Sequence, residues 1–342
     1  MSNSNDPVLI IGGSGVVGSL TARQLRRLHP GLPLAIGGRD LARAEAVAAE
    51  VGNAVGVTVD LARPDLGLPA DAAFSAVAVF VKDATTNSLR YALTHRLPYI
   101  SVSTGTYEIG PEVALHIHHP GRSAVVLGSH WLAGAAIFPV LKLAADFERV
   151  DDIRIGVVLD GQDMGGQAAA DDYERLTTVA PAALTIRDGK VTWVTGDEAA
   201  ATVRSVDGVE LEGQAYSPFD IIGLHAATDA RDIRLDFAFG DSASTRRGEP
   251  FSTEIIADLS GVRKDGTRAR VHAEIVHPQG QAPLTALGVT LAVERLIGLD
   301  GRPAPEPGLY LPENILAPVD FVRRMEEFGA TVATSSDEAV SA

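Results

Sequence analysis

The chain predicts an α/β protein: a doubly wound parallel sheet followed by a second α/β domain built on a mostly antiparallel sheet. Three observations carry that prediction. A glycine-rich turn, "IIGGSGVVGSL", joins a short apolar run to an amphipathic one near the start. Short β-branched runs then alternate with amphipathic stretches up to about residue 130, the signature of βαβ units. From about residue 150 the pattern turns to alternating apolar and polar positions, which suits half-buried strands.

Taken in order, the first region reads "VLIIG", "SLTARQLRRLH", "LPLAIGG", "DLARAEAVAAEV", "AVGVTVD", "FSAVAVFV", "TTNSLRYALTHR", "PYISVS" and "SAVVLG". Its strand runs are nearly continuous apolar segments, as expected of parallel strands buried on both faces. The second region offers "DIRIGVVLD", "ALTIRDGKVTWV", "DIRLDFAFG" and a long hairpin, "FSTEIIADLSGVRKDGTRARVHAEIVH", with its turn at Asp265-Gly266. Helices near 166–179 and 283–298 are expected to cover that sheet. The boundaries that follow are 1–131 for the first domain and 132–309 for the second. A closing helix within 310–330 is expected to pack back on the first domain, and 331–342 to form a disordered tail.

Composition removes several classes. The 342 residues contain no cysteine, which excludes disulfides, thiolate metal sites and cysteine nucleophiles. Forty-four acidic against 29 basic residues give a formal charge of −15, a field that repels nucleic acid. The apolar runs are far shorter than a membrane span and the start lacks a signal-peptide pattern, so a cytoplasmic protein with no membrane partner is expected. A homodimer through an open face of the second sheet is expected as well.

Gly13, Gly15 and Gly18 complete a GxGxxG motif between a strand and a helix, the context that a dinucleotide cradle requires. The first glycine would permit the tight turn, the second the approach of a pyrophosphate, and the third the packing of helix on strand. Ser14, Val16 and Val17 would supply amides at the helix start. The end of the second strand reads "IGGRD": Gly38 leaves space and Arg39 supplies a cation for a 2′-phosphate, which selects NADP(H). Asp40 could hold a ribose hydroxyl, though capping the next helix is the favoured reading. Asp60 after the third strand, Lys82 after the fourth and Ser103 after the fifth complete the candidate cofactor residues.

In an open α/β sheet the chemistry lies at the carboxyl ends of the strands. There Lys82, Tyr107 and His130 are the candidates for delivering a proton. Each has a plainer alternative: a solvated loop charge, a core-edge tyrosine and a helix-capping histidine. The cluster His116, His118 and His119 does not stack three ligands on one helical face, so no metal is expected.

The segments "IIGGSGVVGSLTARQL", "AIGGRDLARAEAVAAEV", "PYISVSTG" and "GLYLPENILAPVDFVRRMEEFGATV" together resemble the saccharopine dehydrogenase-like oxidoreductases, specifically the NADP-using saccharopine reductase branch. That resemblance implies hydride transfer from NADPH to the C=N bond of an imine formed between an amino acid and a carbonyl compound, and so a small amino-acid-like substrate. Relatives that reduce activated C=C bonds give one alternative, and a non-catalytic NADPH sensor another. Two stretches depart from the pattern, "FVKDATTNS" after the fourth strand and "GSHWLAGAA" after the sixth.

Overall fold

The computed structural model describes residues 6–163, 165–179 and 182–338. In chain order the elements begin β1 (Val8–Ile11), α1 (Val16–Leu28), β2 (Leu34–Gly38), α2 (Leu41–Val51), β3 (Ala54–Thr58), β4 (Ala76–Val79), α3 (Asn87–His95), β5 (Tyr99–Ser101), α4 (Gly110–Ile117) and β6 (Ala124–Leu127). They continue with α5 (Ile137–Ala144), β7 (Phe147–Leu159), α6 (Gln167–Val179), β8 (Ala183–Arg187), β9 (Lys190–Val194), β10 (Ala200–Arg204), β11 (Glu210–Ala215), α7 (Asp220–Thr228) and β12 (Asp232–Phe239). The last are α8 (Ala243–Arg246), β13 (Thr253–Arg263), β14 (Arg268–His277), α9 (Ala282–Leu296), β15 (Gly308–Tyr310), α10 (Pro318–Glu327) and β16 (Thr331–Glu338).

The chain divides into two compact units. The first runs to Ser129 and takes in Gly166–Asp172 and Thr285–Leu316; the second comprises His130–Gly165, Tyr173–Leu284 and the chain from Ala317.

The first unit is built on a parallel sheet of seven strands among the described residues, in the order β15-β6-β5-β4-β1-β2-β3. The order reverses between β1 and β4, the switch point at which ligands bind in such folds. All four residues of β1 and of β4 are buried, as their unbroken apolar runs require. Helix α1 turns Gly18, Ala22 and Leu25 inward, a stripe at helical spacing, and ends in Arg26 and Arg27, which complement the dipole.

Helix α9 departs from the expected boundary, since from Thr285 it belongs to the first unit. Its polar residues explain this: Thr290 donates to Gln24 of α1 at 3.2 Å, and Glu294 lies 2.6 Å from His29. The rest of the helix buries Ala286, Leu287, Val289, Val293 and Leu296. Its partners on α1 could not be inferred from periodicity alone.

The second unit holds a sheet of nine strands among the described residues, with β10-β11-β12-β7-β13-β14-β16 in a row and β8 and β9 branching from β12. Only β12 and β7 pair in parallel; the other pairs are antiparallel. Strands β13 and β14 form the expected hairpin around Asp265-Gly266, where Gly266 adopts φ +86°. One face buries Ile153, Ile155, Val157, Ile255, Leu259, Leu235 and Ile275. On the other, register aligns Arg234, Arg154, Asp258 and His272 across four strands.

Two expectations about the end of the chain are corrected. Helix α10, expected to belong with the first domain, lies in the second unit: its Phe321 stacks on Phe138 of α5, with ring centroids 4.0 Å apart and planes 19° apart. The buried stripe Phe321, Val322 and Met325 sets that choice. Residues 331–338, expected as disordered tail, form β16 and pair antiparallel with β14 from Thr331↔Val276 to Glu338↔Ala269. The β-branched start "TVAT" favours a strand, and an open sheet edge supplies its partner. Residues 339–342 lie outside the described residues.

Candidate dinucleotide site

The glycine turn sits between β1 and α1 in the first unit. Gly12, which precedes the motif, takes φ +84°, a left-handed conformation that favours glycine; Gly13 does not. The tight turn therefore belongs to Gly12, a residue that the motif does not single out. Gly13 is needed for space, because a Cβ there would meet Ile10 O at 2.7 Å. At Gly18 a Cβ would lie 2.4 Å from Gly12 O and 2.8 Å from Gly13 Cα, so helix and turn touch through backbone. Gly15 is the N-cap of α1, which has no side-chain cap and no acidic residue in its first turn. The first-turn amides of such a helix have no intrahelical acceptor and carry the positive end of the dipole. A turn with glycine at three of its four positions beneath an uncapped helix is the cradle that a pyrophosphate fits.

At the end of β2, Arg39 is exposed and Gly38 faces the turn: a Cβ on Gly38 would lie 3.3 Å from Ser14 Oγ. Asp40 is the N-cap of α2, its Oδ1 accepting the Arg43 amide at 3.1 Å. The Arg43 guanidinium reaches Ser14 O at 3.4 Å. Asp60 closes its own turn by accepting the Ala62 amide at 2.9 Å.

The loops after β4 and β5 bring several titratable groups together. Lys82 Nζ donates to Glu108 Oε2 at 3.0 Å, and the same oxygen accepts the Gly105 amide at 2.9 Å. Glu112 Oε1 accepts from Thr104 Oγ1 at 3.0 Å, while its Oε2 is buried with no partner. Burial pushes the Glu112 carboxyl up, and the Thr104 hydroxyl and Lys82 charge only partly oppose it. The Thr104 amide donates to Ser129 Oγ at 2.9 Å, tying the β5 loop to the end of β6. Ser103 is buried and Tyr107 is exposed on the short turn that carries Glu108. Asp83, beside Lys82, is spent on structure: it accepts the Ser88 amide at 2.8 Å and the Thr85 amide at 3.0 Å at the start of α3. Glu108 and Glu112 were not singled out in the sequence, although their spacing in "TYEIGPE" was a signal that could have found them.

His130 falls in the second unit, buried, its ring 6.0 Å from Phe219 and nearly perpendicular to it. Next to it the Trp131 amide donates to the buried Asp220 Oδ2 at 2.5 Å. Leu132 and Ala133 follow with φ +48° and +54°, strained values for residues that carry a Cβ. Of the three clustered histidines, His116 is buried, with a lowered pKa from loss of water. Among the described residues no three acidic or histidine side chains gather as metal ligands, and no helix is long and apolar enough to cross a membrane.

No protein-family model matches the chain, and no curated protein matches it significantly. Among solved structures it is similar to the apo saccharopine dehydrogenase (L-Glu forming) of Saccharomyces cerevisiae, with a TM-score of 0.71 and 13% identity over 97% of this chain and 100% of that one. It also resembles scyllo-inositol dehydrogenase of Lactobacillus casei with bound NAD(H) and scyllo-inositol, with a TM-score of 0.50 and 11% identity over 96% and 99% of the two chains. These likenesses show the fold: a parallel α/β sheet of the Rossmann kind and a second α/β unit.

Proposed function

We propose that this chain is an NADPH-dependent oxidoreductase that reduces the C=N bond of an imine, or the carbonyl, of an amino-acid-derived small molecule, in the manner of saccharopine reductases. The observation that carries this reading is the turn under the uncapped helix α1, where a Cβ on Gly13 or Gly18 would collide with backbone, with Arg39 at the end of β2 and the Asp40 carboxyl beside it engaged as the cap of α2. The yeast saccharopine dehydrogenase, whose whole length this chain matches in fold, supports the same reading.

When bound, NADPH supplies the hydride. The amides that follow Gly15 would hold its pyrophosphate, and Arg39 its 2′-phosphate. Lys82, an ammonium fixed by Glu108, holds a proton at Nζ at the carboxyl end of the sheet, where a reduced nitrogen or oxygen needs one. Glu108 orients that ammonium, and the Gly105 amide in turn fixes the carboxylate.

The test is a titration with NADPH and NADH side by side, followed by NADPH oxidation against a panel of imines, keto acids, aldehydes and enoyl compounds. NADPH preference with turnover of an imine or carbonyl is expected. Binding of neither cofactor overturns the reading, and turnover of enoyl compounds alone reassigns the reaction to C=C reduction.

A further inference from the structure

The end of β2 carries more cationic character than Arg39 alone. Arg39 is exposed and makes no ion pair among the described residues. Arg43, also exposed, is the third residue of α2, and its guanidinium reaches back to Ser14 O in the glycine turn. Ser14 Oγ lies on the Gly38 side of that turn. The Arg43 guanidinium, the Ser14 hydroxyl and Gly38 thus lie at one corner of the first unit, and Arg39 follows Gly38 directly in the chain. The one acidic group between them, Asp40, has its Oδ1 fixed on the Arg43 amide.

We infer that Arg39 and Arg43 together clamp the 2′-phosphate of the cofactor, and that Asp40 is the positioning residue for Arg43 instead of a ligand for a ribose hydroxyl. The inference rests on the dinucleotide reading above and adds a second specificity-determining residue to it. A single exposed guanidinium gains little from a phosphate in water, because solvent screens the charge. Two guanidiniums approaching from a strand end and a helix turn supply directed hydrogen bonds as well as charge. A ribose diol would have to recruit the Asp40 carboxylate, and that would remove the cap from the helix turn on which Arg43 stands.

The experiment is calorimetric titration of the full chain with 2′,5′-ADP and with 5′-AMP, which differ in the 2′-phosphate alone. The unaltered protein is expected to prefer 2′,5′-ADP. Arg43→Ala is expected to weaken 2′,5′-ADP by about 10- to 100-fold, the loss of a charged hydrogen bond, while 5′-AMP changes by less than about twofold. Asp40→Asn, which still caps, is expected to keep the preference; Asp40→Ala is expected to lose part of it. An Arg43→Ala protein that keeps its full preference overturns the clamp while the dinucleotide reading stands. Loss of 5′-AMP binding in Asp40→Asn assigns Asp40 to the ribose and overturns its positioning role. If the unaltered protein binds neither nucleotide, the underlying reading falls too.

Discussion

Lys82 Nζ and Glu108 Oε2 lie 3.0 Å apart and join the loop after β4 to the turn after β5. Both side chains are half-buried, at 26% and 18% exposure, so the pair is better shielded from solvent than a surface bridge. Once a substrate is in hand, Lys82→Ala is expected to lower turnover by about a hundredfold or more while NADPH affinity changes by less than about threefold. Glu108→Gln should lie between that variant and the unaltered enzyme. Equal losses in cofactor affinity and turnover would make the pair a structural tie.

Gly18→Ala and Gly15→Ala should behave differently. The first places a Cβ 2.4 Å from a backbone oxygen, and overpacking of that kind costs about 1–3 kcal/mol. The second meets its closest atom at 3.2 Å on an exposed cap. Thermal unfolding is therefore expected to drop clearly for Gly18→Ala and little for Gly15→Ala, with NADPH binding weakened in both.

Glu112 predicts a pH dependence of stability. Burial favours its neutral form in the folded chain, so the folded protein keeps this proton after the unfolded chain has lost it. Its contribution is complete below the ordinary carboxylate range and is lost as pH rises through the raised value. Denaturant titrations across about pH 4 to 8 should show that Glu112→Gln flattens this decline. An unchanged slope would place the dependence elsewhere.

His272 acts in the same direction from the second unit. Burial lowers its pKa, but hydrogen bonds to Glu274 and Asp258, each 3.2 Å away, outweigh this and hold it raised. The stability that it contributes is complete below the ordinary histidine range and fades as pH rises through the raised value. Nuclear magnetic resonance titration of the ring should find its midpoint above that of a free histidine, and His272→Gln should remove the matching part of the stability profile.

Asp220→Ala strips the acceptor from the Trp131 amide, which precedes the two residues with positive φ. A buried donor left without an acceptor costs about 1–3 kcal/mol, and the strained turn loses an anchor as well. Unfolding at a lower temperature is expected, with a shift in tryptophan emission. A variant as stable as the unaltered chain would mean that the turn is fixed by its apolar neighbours.

The first unit was legible because its signals are local. A glycine motif, apolar parallel strands and the Asp40 cap each follow from a few adjacent residues. What escaped depends on partners distant in sequence. The place of α9 is set by Gln24 and His29, more than 260 residues earlier. Strand β16 reads as tail until β14 is beside it. Of the candidate proton donors, Lys82 acquires its partner from a different loop, and His130 falls in a different unit from its two companions. Gly12 was hidden by the motif's own definition, which begins one residue later, and Arg43 by its position inside a helix.

Strand β16 also governs how the protein can be handled. It covers the hydrogen-bonding edge of β14 along its length, so a chain ended at Gly329 would leave that edge, bordered by Ile275 and Val271, as a template for another copy's strand. Residues 331–338 thus act as a built-in guard against polymerisation, and a truncation or insertion within them would remove the guard.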